Sequence, residues 1–322
     1  MTGKKKEVGY LELFRSGELS RRAEQALDLL AKCSLCPHQC SVDRAGSELG
    51  RCRVGRKARV ASYGPHFGEE SILVGSHGSG TVFFSGCNLR CVFCQNFDIS
   101  RPDKLGDEAP DAVDGPRLAA IMLELQAMGC HNINFVTPSH VVPQVLEALV
   151  LAADQGLSIP LVYNSGGYDA LPTLELLDGV VDIYMPDCKF SSPETASRYT
   201  AAEDYPQRMY AALREMHRQV GVLLIGNDGL AEHGLLVRHL LMPGGRRDTE
   251  SIFKFLVREL SPDTYVNIMD QYRPCGRANE YPEIDGPIGA GDYQWAVATA
   301  RNLGLHRLDQ KDWASLLKRL LG

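Results

Sequence analysis

Three cysteines crowd the segment Gly86-Cys87-Asn88-Leu89-Arg90-Cys91-Val92-Phe93-Cys94-Gln95-Asn96. Thiolates at this spacing, on one short loop, can all reach a single iron–sulfur cubane. A cubane held wholly by protein takes four cysteines. Three leave one iron open to a substrate or cofactor, by the logic that separates catalytic from structural zinc. At a cysteine frequency of about 0.03, the spacing arises by chance on the order of once in a hundred such chains. The plainer reading of the same residues is a trio of buried thiols, or a zinc site short of one ligand.

A second group, Cys33-x2-Cys36-x3-Cys40 followed by Cys52, supplies four thiols and so can close a site around zinc or a second iron–sulfur cluster. A closed site fits a structural or electron-transfer role, and a reduced, metal-free knuckle is the alternative. Seven of the chain's ten cysteines fall in these two groups. The others, Cys130, Cys188 and Cys275, read as small buried apolar residues. The basic run Arg51, Arg53, Arg56, Lys57 and Arg59 next to Cys52 is either a nucleic-acid patch or a solvated face for an acidic partner. The chain's net charge of −6 argues against nucleic acid.

These residues need elements to carry them, and the 322-residue chain shows a regular series. Apolar runs at residues 81–84, 133–136, 161–163, 181–185, 235–241 and 265–269 read as strands. Helical periodicity separates them, over 118–128, 145–153, 171–177, 209–220, 252–260 and 292–302. Six strands alternating with six helices predict an α/β fold with a parallel sheet, either a partial (β/α)6 TIM-like barrel or a doubly wound sheet. In both, chemistry belongs at the C-terminal ends of the strands. The predicted organisation is a helix (21–32) and Cys-rich module within residues 1–80, the barrel over 81–305, and a C-terminal helix over 306–322. No apolar run is long enough to span a membrane. The start of the chain has Lys4, Lys5 and Lys6 but no apolar stretch of a secretory signal, so the expected location is cytoplasmic, where thiols stay reduced. The glycine-rich stretch 75–80 lacks the lysine of a P-loop and the spacing of a dinucleotide fingerprint.

Further polar residues fall at the predicted rim. Asp187 and Lys189, in Met185-Pro186-Asp187-Cys188-Lys189, share one side of an extended segment and could orient a zwitterion or form an ordinary salt bridge. Asn164 and Ser165 end the third strand before two glycines. Either Arg238 or His239 must point inward on the fifth strand, and an inward arginine needs a negative partner. Asp270, Gln271, Tyr272 and Arg273 follow the sixth strand.

The three-cysteine segment, with Phe93 before the last cysteine and the six-fold series behind it, resembles the radical SAM superfamily. The resemblance implies a [4Fe–4S] cluster on Cys87, Cys91 and Cys94, with S-adenosylmethionine chelating the open iron. It also implies one-electron cleavage of that cofactor to a 5′-deoxyadenosyl radical that abstracts hydrogen. Residues 81–96, 132–140, 162–168 and 182–189 further resemble the branch related to pyruvate formate-lyase activating enzymes, over most of residues 30–305. On that resemblance Phe93, Asn96, Asn164, Ser165, Met185, Asp187 and Lys189 surround the cofactor, while Thr137, able to accept from its amino group, and Arg238 or His239, an inward Arg238 suiting its carboxylate, are further candidates by position. Met185 and Asp187 would help hold a monovalent cation there, with Asn164 and Ser165 standing where activating enzymes carry Asp-Thr-Asn-Gly. Thr137-Pro138-Ser139-His140 departs from the usual Gly-Gly-Glu that receives the cofactor's amino group. The implied activity is activation of a glycyl-radical enzyme, with that enzyme as protein substrate and a low-potential donor such as flavodoxin or ferredoxin. Modification of another peptide, a small molecule or RNA is the alternative, and a non-catalytic iron–sulfur electron carrier is the reading from a different class.

Overall fold

Strands covered by helices are buried on both faces, and their sequences read as short continuous apolar runs rather than as alternation. The computed structural model describes residues 8–101 and 106–309. It shows one nine-stranded sheet. Its strands are β1 (Ala58–His66), β2 (Ser79–Phe84), β3 (Ala112–Val113), β4 (Ile133–Val136), β5 (Leu161–Asn164), β6 (Ile183–Tyr184), β7 (Leu224–Ile225), β8 (Ala231–Leu240) and β9 (Tyr265–Met269). Six of them, β2, β4, β5, β6, β8 and β9, pair in that order and all in parallel. They coincide with the runs that the sequence marks as strands.

Helices return the chain between these strands. Gly115–Ala127 joins β2 to β4, opened by Asp114, whose carboxylate accepts from the Arg117 N–H at 3.0 Å. Val142–Asp154 leads to β5, and Tyr205–Val220 and Arg246–Phe255 precede β8 and β9. Near the chain start, helices Gly9–Arg15 and Glu18–Asp28 are separated at Gly17.

Three strands come from segments without a strand pattern. β1 pairs antiparallel with β2 and β3, and β7 pairs antiparallel with β8. β1 lies in the part of residues 1–80 that the sequence predicts as loops. It is buried only at its first three residues and carries Gly64 and Pro65. Residues 306–309 are not helical: Leu308 bridges to Val266 beside β9. The rest of the expected C-terminal helix, and Lys4 to Lys6, lie outside the described residues. No helix among the described residues is long and apolar enough to cross a membrane.

The alternation of strand side chains separates two cores. Tyr163 and Tyr184 face the helices, with ring centroids 5.6 Å apart. Val162, Ile183, Met185, Leu236 and Tyr265 face the opposite way and pack on Ile72 and Leu73 of the short helix Ser71–Val74. That second core fills the space beneath the C-terminal rim.

Candidate active site

The loop after β2 carries Cys87, Cys91 and Cys94 to the C-terminal ends of the parallel strands, where all three line one cavity. Main-chain bonds pin the loop: Gly86 N–H donates to Ile99 O at 2.8 Å, Val92 N–H to Tyr199 O at 2.9 Å, and Arg277 N–H to Val92 O at 2.7 Å. Gly86 has φ 82°, and a Cβ there would lie 2.5 Å from Cys52 O, so the position requires glycine. Burial pushes the Cys87 and Cys91 thiols up to about 12, against the Leu89 N–H at 3.3 Å from Cys87 Sγ and the nearby Lys189 cation. They hold their protons at neutral pH unless a metal displaces them. No fourth cysteine lines the cavity. Among the described residues no three His, Cys, Asp or Glu side chains are disposed about a single ion. The three thiols line one cavity side by side. Soft thiolate donors, three in number and set around a cavity, fit a [4Fe–4S] cluster with one open iron.

Beside them lies a buried charge set. Lys189 Nζ donates to Asp187 Oδ2 at 2.6 Å, and Arg238 Nε donates to Asp187 Oδ1 at 3.1 Å. Burial alone would raise the Asp187 carboxyl, but the Lys189 and Arg238 cations outweigh it and hold it below its ordinary value. Both cations remain protonated: burial opposes their charge and Asp187 more than restores it. Arg238 also reaches Glu69 Oε2 at 3.3 Å, and Asn267 donates to the adjacent Glu70 at 2.7 Å. Burial nevertheless raises the Glu69 carboxyl to about 7 despite the arginine. Glu69 and Glu70 have no signal in the sequence, because they belong to the segment after β1 and meet the rim only through the fold.

Of the other residues expected here, Phe93, Asn96, Thr137, Asn164, Ser165, Asp187, Lys189 and Arg238 all line the cavity. Phe93 packs edge-on against Phe190, with centroids 5.9 Å apart. Thr137 adopts φ 61°, a left-handed conformation that strains a β-branched residue. The Ser165 hydroxyl is engaged with Asp169 at 2.7 Å, as is the Tyr163 hydroxyl at 2.8 Å. Gln271 lines the cavity too, whereas the Tyr272 hydroxyl turns away to Ile284 O at 2.7 Å.

Two expected residues lie elsewhere. Met185 shares the face of Asp187 but sits one step deeper, wholly buried in the apolar core below the cavity. His239 follows Arg238, so strand alternation turns it away. Its Nδ1 lies 2.6 Å from Cys188 O and its Nε2 2.8 Å from Thr249 Oγ1. It lines a second cavity, which shares Lys189, Phe190, Leu240 and Met242 with the first.

In the other cysteine group, Cys33, Cys36 and Cys52 are buried and Cys40 is partly exposed. In the basic run beside it Arg53 and Lys57 are exposed, while the other three are engaged. Arg59 pairs with Asp111 at 2.6 Å, Arg56 with Glu147 at 2.6 Å, and Arg51 donates to Ala201 O at 3.1 Å. Cys130 and Cys188 are buried as expected, while Cys275 is partly exposed.

No protein-family model matches the chain. Among solved structures, SuiB of Streptococcus suis, crystallised with the precursor peptide SuiA, aligns with a TM-score of 0.47 at 11% identity. That alignment covers 73% of this chain and 49% of SuiB, so the chain spans about half of that protein's length. By sequence, the chain is 33% identical over 298 residues to the uncharacterized protein MJ0674 of Methanocaldococcus jannaschii. The match takes in 92% of this chain and 82% of that protein, and the chain belongs to the family of MJ0674.

Proposed function

We propose that the protein is a radical SAM enzyme built on a partial (β/α)6 barrel. One observation carries the reading: three cysteines without a fourth share a rim cavity with the Asp187–Lys189–Arg238 charge set. Cys87, Cys91 and Cys94 would hold a [4Fe–4S] cluster, and the rim residues would hold S-adenosylmethionine. When bound, this pair supplies one-electron reductive cleavage of the cofactor and a 5′-deoxyadenosyl radical for hydrogen abstraction.

The chain's own residues bind, orient and exclude water. Lys189 and Arg238 would present two cations to receive the cofactor's carboxylate, with Asp187, Glu69 and Glu70 as the acidic groups around them. Thr137 and Asn164, at the ends of β4 and β5, present polar groups for its amino group and ribose. Asp187, whose two oxygens are paired with Lys189 and Arg238, would have to release one of them to ligate a monovalent cation. Phe93 and Phe190 wall the cavity against water, which protects a reactive radical.

For the hydrogen donor we infer a peptide or protein segment, with the glycine of a glycyl-radical enzyme as one case. The second cavity supports this reading: it adjoins the first and is lined by Glu194, Arg198, Tyr199 and Glu283, groups suited to residues flanking a target.

The experiment is anaerobic reconstitution with iron and sulfide, reduction, addition of S-adenosylmethionine, and quantification of 5′-deoxyadenosine. Cleavage by the wild type and none by Cys91→Ala is the expected result. A loaded cluster that neither binds nor cleaves the cofactor overturns the reading in favour of an electron carrier.

A further inference from the structure

The four cysteines near the chain start are each met by a hydrogen-bond donor. The His38 N–H faces Cys36 and the Val54 N–H faces Cys52, both two residues on from the sulfur they serve. The Arg51 N–H lies 3.5 Å from Cys40 Sγ, and Arg44 Nη1 lies 3.7 Å from Cys33 Sγ. Neutral thiols are weak acceptors and do not need such an arrangement, whereas thiolates do. The backbone turns that aim these donors place Gln39, Ser41 and Arg53 at φ 43°, 55° and 63°, left-handed conformations that non-glycine residues avoid.

Arg44 is the independent observation. Its side chain is fully buried, donates to His140 O at 2.9 Å and Gly55 O at 3.1 Å, and leaves Nε without a partner. Among the described residues no carboxylate pairs with it. A buried guanidinium without an anion is strongly unfavourable. Four thiolates around an oxidised cubane carry net negative charge beside it and supply the missing counter-charge.

This group also abuts the Cys87 loop. His38 Nε2 lies 2.7 Å from Asn88 O, the Arg90 guanidinium bonds to Arg51 O, and Gly86 packs against Cys52 O. We propose that Cys33, Cys36, Cys40 and Cys52 bind one iron–sulfur cluster, a group larger than a single ion, counter-charged by Arg44, and that the cluster holds the Cys87 loop in position. The centre is independent of the cofactor proposed for that loop.

The test therefore uses the full chain carrying Cys87→Ala, Cys91→Ala and Cys94→Ala, purified without oxygen and assayed for metals. It should retain about four irons per chain, and about one zinc in their place would mark a mononuclear centre and overturn the cluster. Adding Cys36→Ser and Cys52→Ser should bring the metal to background. A folded triple variant without metal, or metal unmoved by those two changes, overturns the site. Should the five-fold variant aggregate, titrating the triple variant with an organomercurial should release metal in step with thiol modification, and no release has the same overturning force. Arg44→Gln, which keeps N–H donors but removes the charge, should speed metal loss to a chelator about tenfold, and an unchanged rate removes the counter-charge role. Hydrogen exchange of residues 86–94 should quicken when the metal is stripped. Unchanged exchange overturns the positioning role.

Discussion

Arg238 on β8 and Asp187, just past the end of β6, are parallel bridge partners, and their side chains repeat the pairing of their backbones with an Nε–Oδ1 distance of 3.1 Å. Arg238→Met leaves both Asp187 and Glu69 without that cation in a buried site. The expected loss of stability is about 3–5 kcal/mol. Arg238→Lys should recover only part of it, because an ammonium lacks the fork that reaches two carboxylates at once. Urea denaturation of the metal-free protein measures both, and equal midpoints for wild type and Arg238→Met would contradict the prediction.

Glu69 gives a pH dependence. Burial lifts its folded-state value from 4.5 to about 7, so the folded protein binds more protons than the unfolded chain in between. Its contribution to stability is complete below the unfolded value and is lost as pH rises through about 7. Glu69→Gln should flatten that decline, so its stability relative to wild type is greater at about pH 8 than at about pH 5. Paired denaturation curves decide it; a constant difference would count against a raised Glu69.

Thr137 holds a left-handed backbone at the end of β4. Thr137→Gly relieves that conformation, and the release of strain exceeds the added entropy of the unfolded chain by about 1 kcal/mol. A higher melting temperature with weaker binding of S-adenosylmethionine is expected. Weaker binding without stabilisation would mean that the turn is unstrained.

His239 ties the loop of Cys188 to the helix bearing Thr249 and stays away from the three cysteines. His239→Ala should cost about 2–3 kcal/mol of stability while leaving 5′-deoxyadenosine formed per loaded cluster unchanged. Loss of that yield would place His239 in the chemistry.

The six parallel strands are legible because both of their faces are covered, which leaves continuous apolar runs between periodic helices. β1 is not, since its outer half is exposed and interrupted by Gly64 and Pro65. β3 and β7 are too short to carry any period. The helix Pro193–Thr200 had a readable start, with Ser192 as its cap and proline in its first turn. At the site, spacing identifies the three cysteines because their chemistry is local. The choice between Arg238 and His239 needed the strand's register. Glu69, Glu70 and Arg44 remained invisible, because their roles come from partners distant in sequence that only the fold brings near.

The apolar core under the cavity, where Ile72 and Leu73 meet Met185 and Leu236, closes the chamber from below. An occupant of the rim has no polar way out through that floor. Two ligands stacked above it do not exchange independently: the deeper one binds first and departs last wherever the upper one covers it. If the cofactor lies against the three cysteines and the substrate above it, turnover follows a compulsory order, and high substrate concentration traps spent cofactor products beneath it.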